Sequence, residues 1–188
     1  MIRLKSSTVG FKEWSLVCDA LGAGRQSVIL RKGGIAEGQG GFQWQASEFY
    51  LFPTHFHEQL QQTTWGGTPE TLAAISDPAT IAIRLVATIE STATITDWSM
   101  AAALAPFHIW KEEVIRERFG YGEAPGLSMA LLRVHRLAEP WTLDMTPRFG
   151  GCRSWLDLPP PPPSETTPVL SDEVHRARLE AIAAALRG

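Results

Sequence analysis

The sequence predicts an α+β domain: a small, curved, barrel-like mixed sheet with three or four flanking helices and a C-terminal helix. Three observations predict it. Short apolar runs with β-branched residues outnumber helical stretches. They do not alternate with helices in the β-α-β order of a doubly wound parallel sheet. Five consecutive prolines, Pro159 to Pro163, set a final amphipathic stretch apart from the body. The expected organisation is one domain over 1–158, a proline-rich linker over 159–169 and a helix over 170–188.

The elements follow in order. Phe11, Trp14, Val17, Cys18 and Leu21 recur at helical spacing, which predicts a helix over 11–22, closed by Gly22 and Gly24. Gln26 to Arg31 is a short apolar run and reads as a strand, turned by Lys32-Gly33-Gly34. Residues 35–46 read as a loop carrying Phe42 and Trp44. Glu48 to Phe52 is a second strand, which Pro53 should stop because proline cannot donate to a ladder. A short helix is expected over 54–62. Trp65-Gly66-Gly67 is a turn, and Thr68-Pro69-Glu70 starts another short helix. Thr80 to Thr96 alternates apolar and polar residues, fitting two strands or one long bent one.

Asp97 is a candidate N-cap for a helix through Leu104, and a further helix runs from Ile109 to Phe119. On that helix Glu112 and Arg116 stand at favourable four-residue spacing. Ser128 to Leu137 and Arg153 to Leu158 read as strands. The tail helix over 171–187 gathers Val174, Ala177, Leu179, Ile182, Ala183 and Leu186 on one side. That face suits docking on the body, a second copy of the chain or a partner protein.

Composition narrows the functional classes. The chain has 188 residues, 44% hydrophobic and 20% charged, and fits one globular domain needing no staples. Its two cysteines, Cys18 and Cys152, lie far apart among apolar neighbours and read as buried free thiols. No apolar run reaches the length of a membrane helix, and no leader follows Met1, so a cytoplasmic location without membrane contact is expected. The net charge of −3 excludes a basic field over the whole domain. Nucleic acid, if bound, must meet a local patch.

Four groups could carry chemistry. In Pro53-Thr54-His55-Phe56-His57-Glu58, an extended backbone would point His55 and His57 to one side for a divalent metal, with Glu58 as base or third ligand. In a helix or turn the two imidazoles diverge and serve as core or solvated histidines. Apart from that option no cofactor is expected. Arg31-Lys32-Gly33-Gly34 places two cations beside glycine N–H groups, a phosphate cradle or an ordinary charged hairpin. Arg133 and His135 share a strand face, and with Arg136 and Arg153 they form a second candidate patch. Trp44, Trp65 and Trp155 lie near glycines or cations and suit either base stacking or covering the core.

Some chemistries are disfavoured. No lysine follows a glutamate at the two-residue spacing of a paired-carboxylate nuclease, and no Nudix pattern follows Gly33-Gly34. No protease signature surrounds Cys152. Binding is therefore favoured over catalysis, with nucleic acid as the partner. The alternatives are a metal-dependent phosphoester or nucleotide hydrolase built on His55, His57 and Glu58, and an interaction scaffold working through the tail helix.

Phe11-Lys12-Glu13-Trp14, Ile29 to Ile35, Glu48 to His57, His108-Ile109-Trp110, Arg133 to Leu137 and Gly150 to Trp155 together resemble the bacterial proteins grouped as domain-of-unknown-function family 1802. The resemblance covers about residues 11–158 and implies no activity. The strand Leu131 to Leu137, the loop after it and Arg153-Ser154-Trp155 are similar to the closing strands of PUA-like domains, including the EVE and YTH readers of modified bases. That similarity implies a small curved barrel that holds a flipped base among aromatic rings.

Overall fold

The structure is a computed structural model that describes residues 8–32, 42–56, 58–64, 79–122 and 124–187. The expected helix start at Thr68, the glycines Gly33 and Gly34, and His57 and Trp65 lie outside these residues.

Seven strands form one mixed sheet. They are β1 (Thr8–Trp14), β2 (Val28–Arg31), β3 (Glu48–Thr54), β4 (Thr80–Ile95), β5 (Leu127–Asp144), β6 (Trp155–Leu158) and β7 (Thr166–Pro168). The order is β2-β5-β4-β3-β1-β6, with β7 added to β5. Among the described residues only β1 and β3 run parallel, and every other pairing is antiparallel. The helices are α1 (Ser15–Gly22), α2 (Gln59–Gln62), α3 (Trp98–Ala103), α4 (Glu112–Gly120) and α5 (Asp172–Ala185). The α+β class and the mixed, curved sheet agree with the sequence, although β2 and β6 do not pair to close a barrel.

Three elements differ from the sequence reading. Residues 8–14 are strand, not the start of a helix. β1 sits between β3 and β6, and both neighbours satisfy its backbone while Phe11 and Glu13 point inward. Tertiary pairing overrides the helical spacing there. Pro53 does not stop β3, which continues to Thr54. Its pairing with β4 ends at Tyr50, so on that side no ladder partner needs the missing N–H, and Pro53 stands opposite Glu13 of β1. Third, residues 166–168 form β7, opposite His135 to Leu137, where no strand was expected.

β4 is one long strand whose register shifts at Ile83/Leu85 and Ile89/Ser91, the bulges that bend it. Asp97 caps α3 as expected, its carboxylate accepting from the Ser99 N–H, and Arg116 pairs with Glu112 at 2.6 Å. Cys18 is buried but Cys152 is exposed, in the turn after residues 147–149. Trp141 is a buried strand residue packed edge-on against Tyr50.

The larger core lies under α1 and around β2, β5 and Phe11. A smaller one joins Phe52, Ile81, Ile83, Trp141, Phe149 and Leu156. α5 rests on the body: Ile182 is buried in the larger core, Arg133 pairs with Asp172 at 2.6 Å, and His175 Nε2 lies 3.0 Å from Glu90 Oε1. Gly24 lets this happen. Its φ of +70° favours glycine, and a Cβ there would lie 2.6 Å from Leu170. Among the described residues no helix is long and apolar enough to cross a membrane.

Candidate functional site

β3 and β4 pair only from Glu48 to Tyr50, against Val86 to Thr88. Beyond that point β3 stays with β1, while Thr80 to Ile83 of β4 pair with β5. The two strands therefore part, and α1 lies across the opening. The result is a cleft of about 530 Å³, lined by Ser15, Cys18 and Asp19 of α1, Leu51 and Pro53 of β3, His55, and Ala82, Arg84 and Leu85 of β4, with Arg136 from β5.

Strand alternation decides which side chains face this space. Leu51 and Pro53 face it, while Phe52 between them joins the smaller core behind. Likewise Thr80, Ala82 and Arg84 face it, while Ile81 and Ile83 turn back. The bulge at Ile83/Leu85 then returns Leu85 to the cleft. The smaller core is thus a rigid back wall for the splayed strands.

The cleft is lined by two guanidinium groups. Arg84 is exposed on β4. Arg136 donates to the Gly22 carbonyl at the C-terminal end of α1, where a cation is favoured. Burial lowers the His55 pKa below its ordinary value, so the imidazole is mainly neutral at pH 7. Burial raises the Cys18 thiol well above the ordinary cysteine value, and the carboxylate of Glu13 adds to this; it is no nucleophile. Asp19 pairs with Arg25 at 3.3 Å on the rim.

The residues singled out in the sequence distribute as follows. His55 and Arg136 reach this cleft; Arg31, Lys32, Arg133 and Arg153 do not. Arg31 Nη2 lies 3.1 Å from Glu13 Oε2. Lys32 Nζ donates to the carbonyls of Ala124 and Gly126, at 2.5 and 3.0 Å. Arg133 pairs with Asp172, and Arg153 donates to the Arg148 carbonyl. Trp44 and Trp155 meet each other and Phe11, with ring centroids 5.7 and 4.8 Å from the Phe11 ring. Glu58 is exposed beside α2. Among the described residues no group of three histidines, cysteines or carboxylates is placed to hold a metal.

Arg84, Asp19 and Ser15 were missed in the sequence. Arg84 had a signal: it is the only charged residue between Asp77 and Glu90, at a polar position of an alternating strand. Nothing in the spacing brings α1 over it.

The comparisons with known proteins bear on the fold and the family. Among solved structures, that of a mutant ASCH protein from Zymomonas mobilis superposes with a TM-score of 0.50 at 11% identity, covering 81% of this chain and 89% of that one. The ASCH protein from the same organism gives a TM-score of 0.48 at 11% identity, covering 81% and 88%. ASCH domains are PUA-like, so the first likeness supports the PUA-like architecture. No curated protein matches the chain. The family model described as "Domain of unknown function (DUF1802)" matches residues 10–181, running past residue 158 through the prolines and into α5. The chain belongs to the DUF1802 family.

Proposed function

We propose that this chain is a nucleic-acid-binding module that seats a nucleotide in the cleft beneath α1. One observation carries the reading: a cleft of about 530 Å³, apolar along Leu51, Pro53, Ala82 and Leu85, with Arg84 and Arg136 at its polar side. Ligand sites commonly measure about 300–1,000 Å³ and combine apolar walls with a few convergent polar groups. Arginine suits phosphate because its planar fork donates two hydrogen bonds at once. A local pair of arginines also fits a chain of net charge −3, which lacks a general attraction for polyanions.

The PUA-like architecture is compatible with this reading, but the recognition chemistry differs from a base cage. Among the described lining residues there is no phenylalanine, tyrosine or tryptophan, and Trp44 and Trp155 pack together elsewhere. The nucleotide is held by its phosphate and by the apolar wall, and modified-base selectivity is not part of the proposal.

The test is a fluorescence-anisotropy titration of labelled single-stranded and duplex oligonucleotides across a salt series. Wild type should bind, and Arg84→Gln should weaken binding about equally for all sequences. It should also reduce the slope of log K against log salt by about 1. Binding that is absent at low salt, or identical in the variant, would refute the proposal.

A further inference from the structure

Buried donors without acceptors cluster among the described residues where β1 and β2 meet α4. Arg31 pairs with Glu13, donates to the Lys12 carbonyl at 2.5 Å and covers the Phe11 ring at 4.8 Å. Arg118 of α4 lies 4.7 Å from the Trp14 ring centre and 5.1 Å from that of Trp110. His108 abuts Trp110, with ring centroids 5.4 Å apart, and is only 8% exposed. Five nitrogens here are buried without a hydrogen-bond partner among the described residues, Arg31 Nε, Arg118 Nη1, Trp110 Nε1 and both ring nitrogens of His108, against one such acceptor, Glu13 Oε2.

Folded proteins rarely leave such groups unpaired, since each buried unsatisfied donor keeps its full desolvation penalty. Ring contact does not remove the deficit. A cation over a ring face is attracted to the ring, but the in-plane N–H groups stay without acceptors.

The charge balance points the same way. Two guanidinium groups face one carboxylate, Glu13. No carboxylate stands within ion-pair distance of Arg118 among the described residues. Desolvation and then Arg31 lower Arg118 to about 10, against weaker opposing effects of Glu13 and Glu117. Desolvation and then Arg118 lower His108 to about 4, against the opposing effect of the Trp110 backbone, so at pH 7 it is neutral and carries one ring N–H.

We infer that Arg31, Arg118, Trp110 and His108 form a second site, distinct from the cleft, which binds a phosphoryl group. A carboxylate is planar and accepts one guanidinium fork well. Two guanidinium groups from different elements, an indole N–H and an imidazole N–H match the three terminal oxygens of a phosphoryl group better. The two sites meet at the β1–α1 junction: Cys18 lines the cleft, and its Sγ lies 3.9 Å from the Glu13 carbonyl oxygen.

The test needs no oligonucleotide, so it stands apart from the cleft proposal. Inorganic phosphate is titrated into the ¹⁵N-labelled full chain at constant ionic strength, and the seven tryptophan indole N–H signals are followed. One signal, the one missing in Trp110→Phe, should move to saturation with a Kd near or below about 1 mM. Arg118→Lys keeps the charge but not the fork and should weaken binding at least tenfold. Arg116→Gln, exposed on the same helix, should leave it unchanged. A nucleoside 5′-monophosphate bound more than tenfold tighter would support a nucleotide as the source of the group, and equal binding would support free phosphate. If Arg118→Lys does not fold, the wild-type titration decides. No shift of that indole by about 20 mM phosphate, or an equal shift with acetate, overturns the inference.

Discussion

Glu13→Ala is expected to cost about 3 kcal/mol of folding stability, at the lower end of the range for removing one partner of a buried ion pair. Glu13 is 1% exposed, and its Oε2 faces Arg31 Nη2 at 3.1 Å. Its Oε1 accepts from the Trp14 N–H at 2.8 Å. Deleting the carboxylate strands Arg31 and frees that N–H at the junction of β1 and α1. The lower end applies because Arg31 keeps 17% of its side chain in solvent and can recover some hydration. Urea denaturation of wild type, Glu13→Ala, Arg31→Met and the double variant measures it. The double variant should be less destabilised than the sum of the two single ones. A loss below about 1 kcal/mol for Glu13→Ala would show that the pair is not a structural centre.

Phe11→Ala is expected to cost about 3–5 kcal/mol, the range for removing a fully buried aromatic ring. Phe11 is 0% exposed, and its ring meets those of Phe42, Trp44, Phe49 and Trp155 at 4.8–6.0 Å, with Arg31 on its face. The cavity would open between β1, β3 and the 42–44 segment, so Trp44 and Trp155 should report it directly. Near-UV circular dichroism should lose tryptophan signal along with the fall in denaturant midpoint. An unchanged spectrum would mean that this cluster does not order the segment.

How much of this the sequence showed depends on the range of the interaction. Periodicity found α1 from Val17, Cys18 and Leu21, β4 from Ile81, Ile83 and Leu85, and the tail helix from Leu179, Ile182 and Leu186. These patterns repeat within a few residues and record which face is buried. The cap at Asp97 is equally local. β1 was misread because Phe11 and Trp14 also fit the spacing of the helix that follows. Only pairing with Tyr50 to Thr54 and with Trp155 to Leu158, far along the chain, fixes it as a strand.

The functional residues divide in the same way. Residue type flagged Arg31 and Lys32 as cations but could not show that Glu13 and the carbonyls of Ala124 and Gly126 engage them. The cleft arises where β3 and β4 stop pairing, and no local pattern encodes the end of a long-range ladder. His55 and Arg136 were found because histidine and arginine are conspicuous in apolar runs. Arg118 and His108 were not, because only the fold makes them buried.

The central claim is that nucleic acid lies in the cleft between α1, β3 and β4. Photo-crosslinking a 4-thiouridine oligonucleotide to the full chain, with peptide mapping, tests it most directly. Crosslinks within residues 51–55 and 80–85 are predicted. Crosslinks confined to Trp44 and Trp155, or to the tail helix, would contradict it.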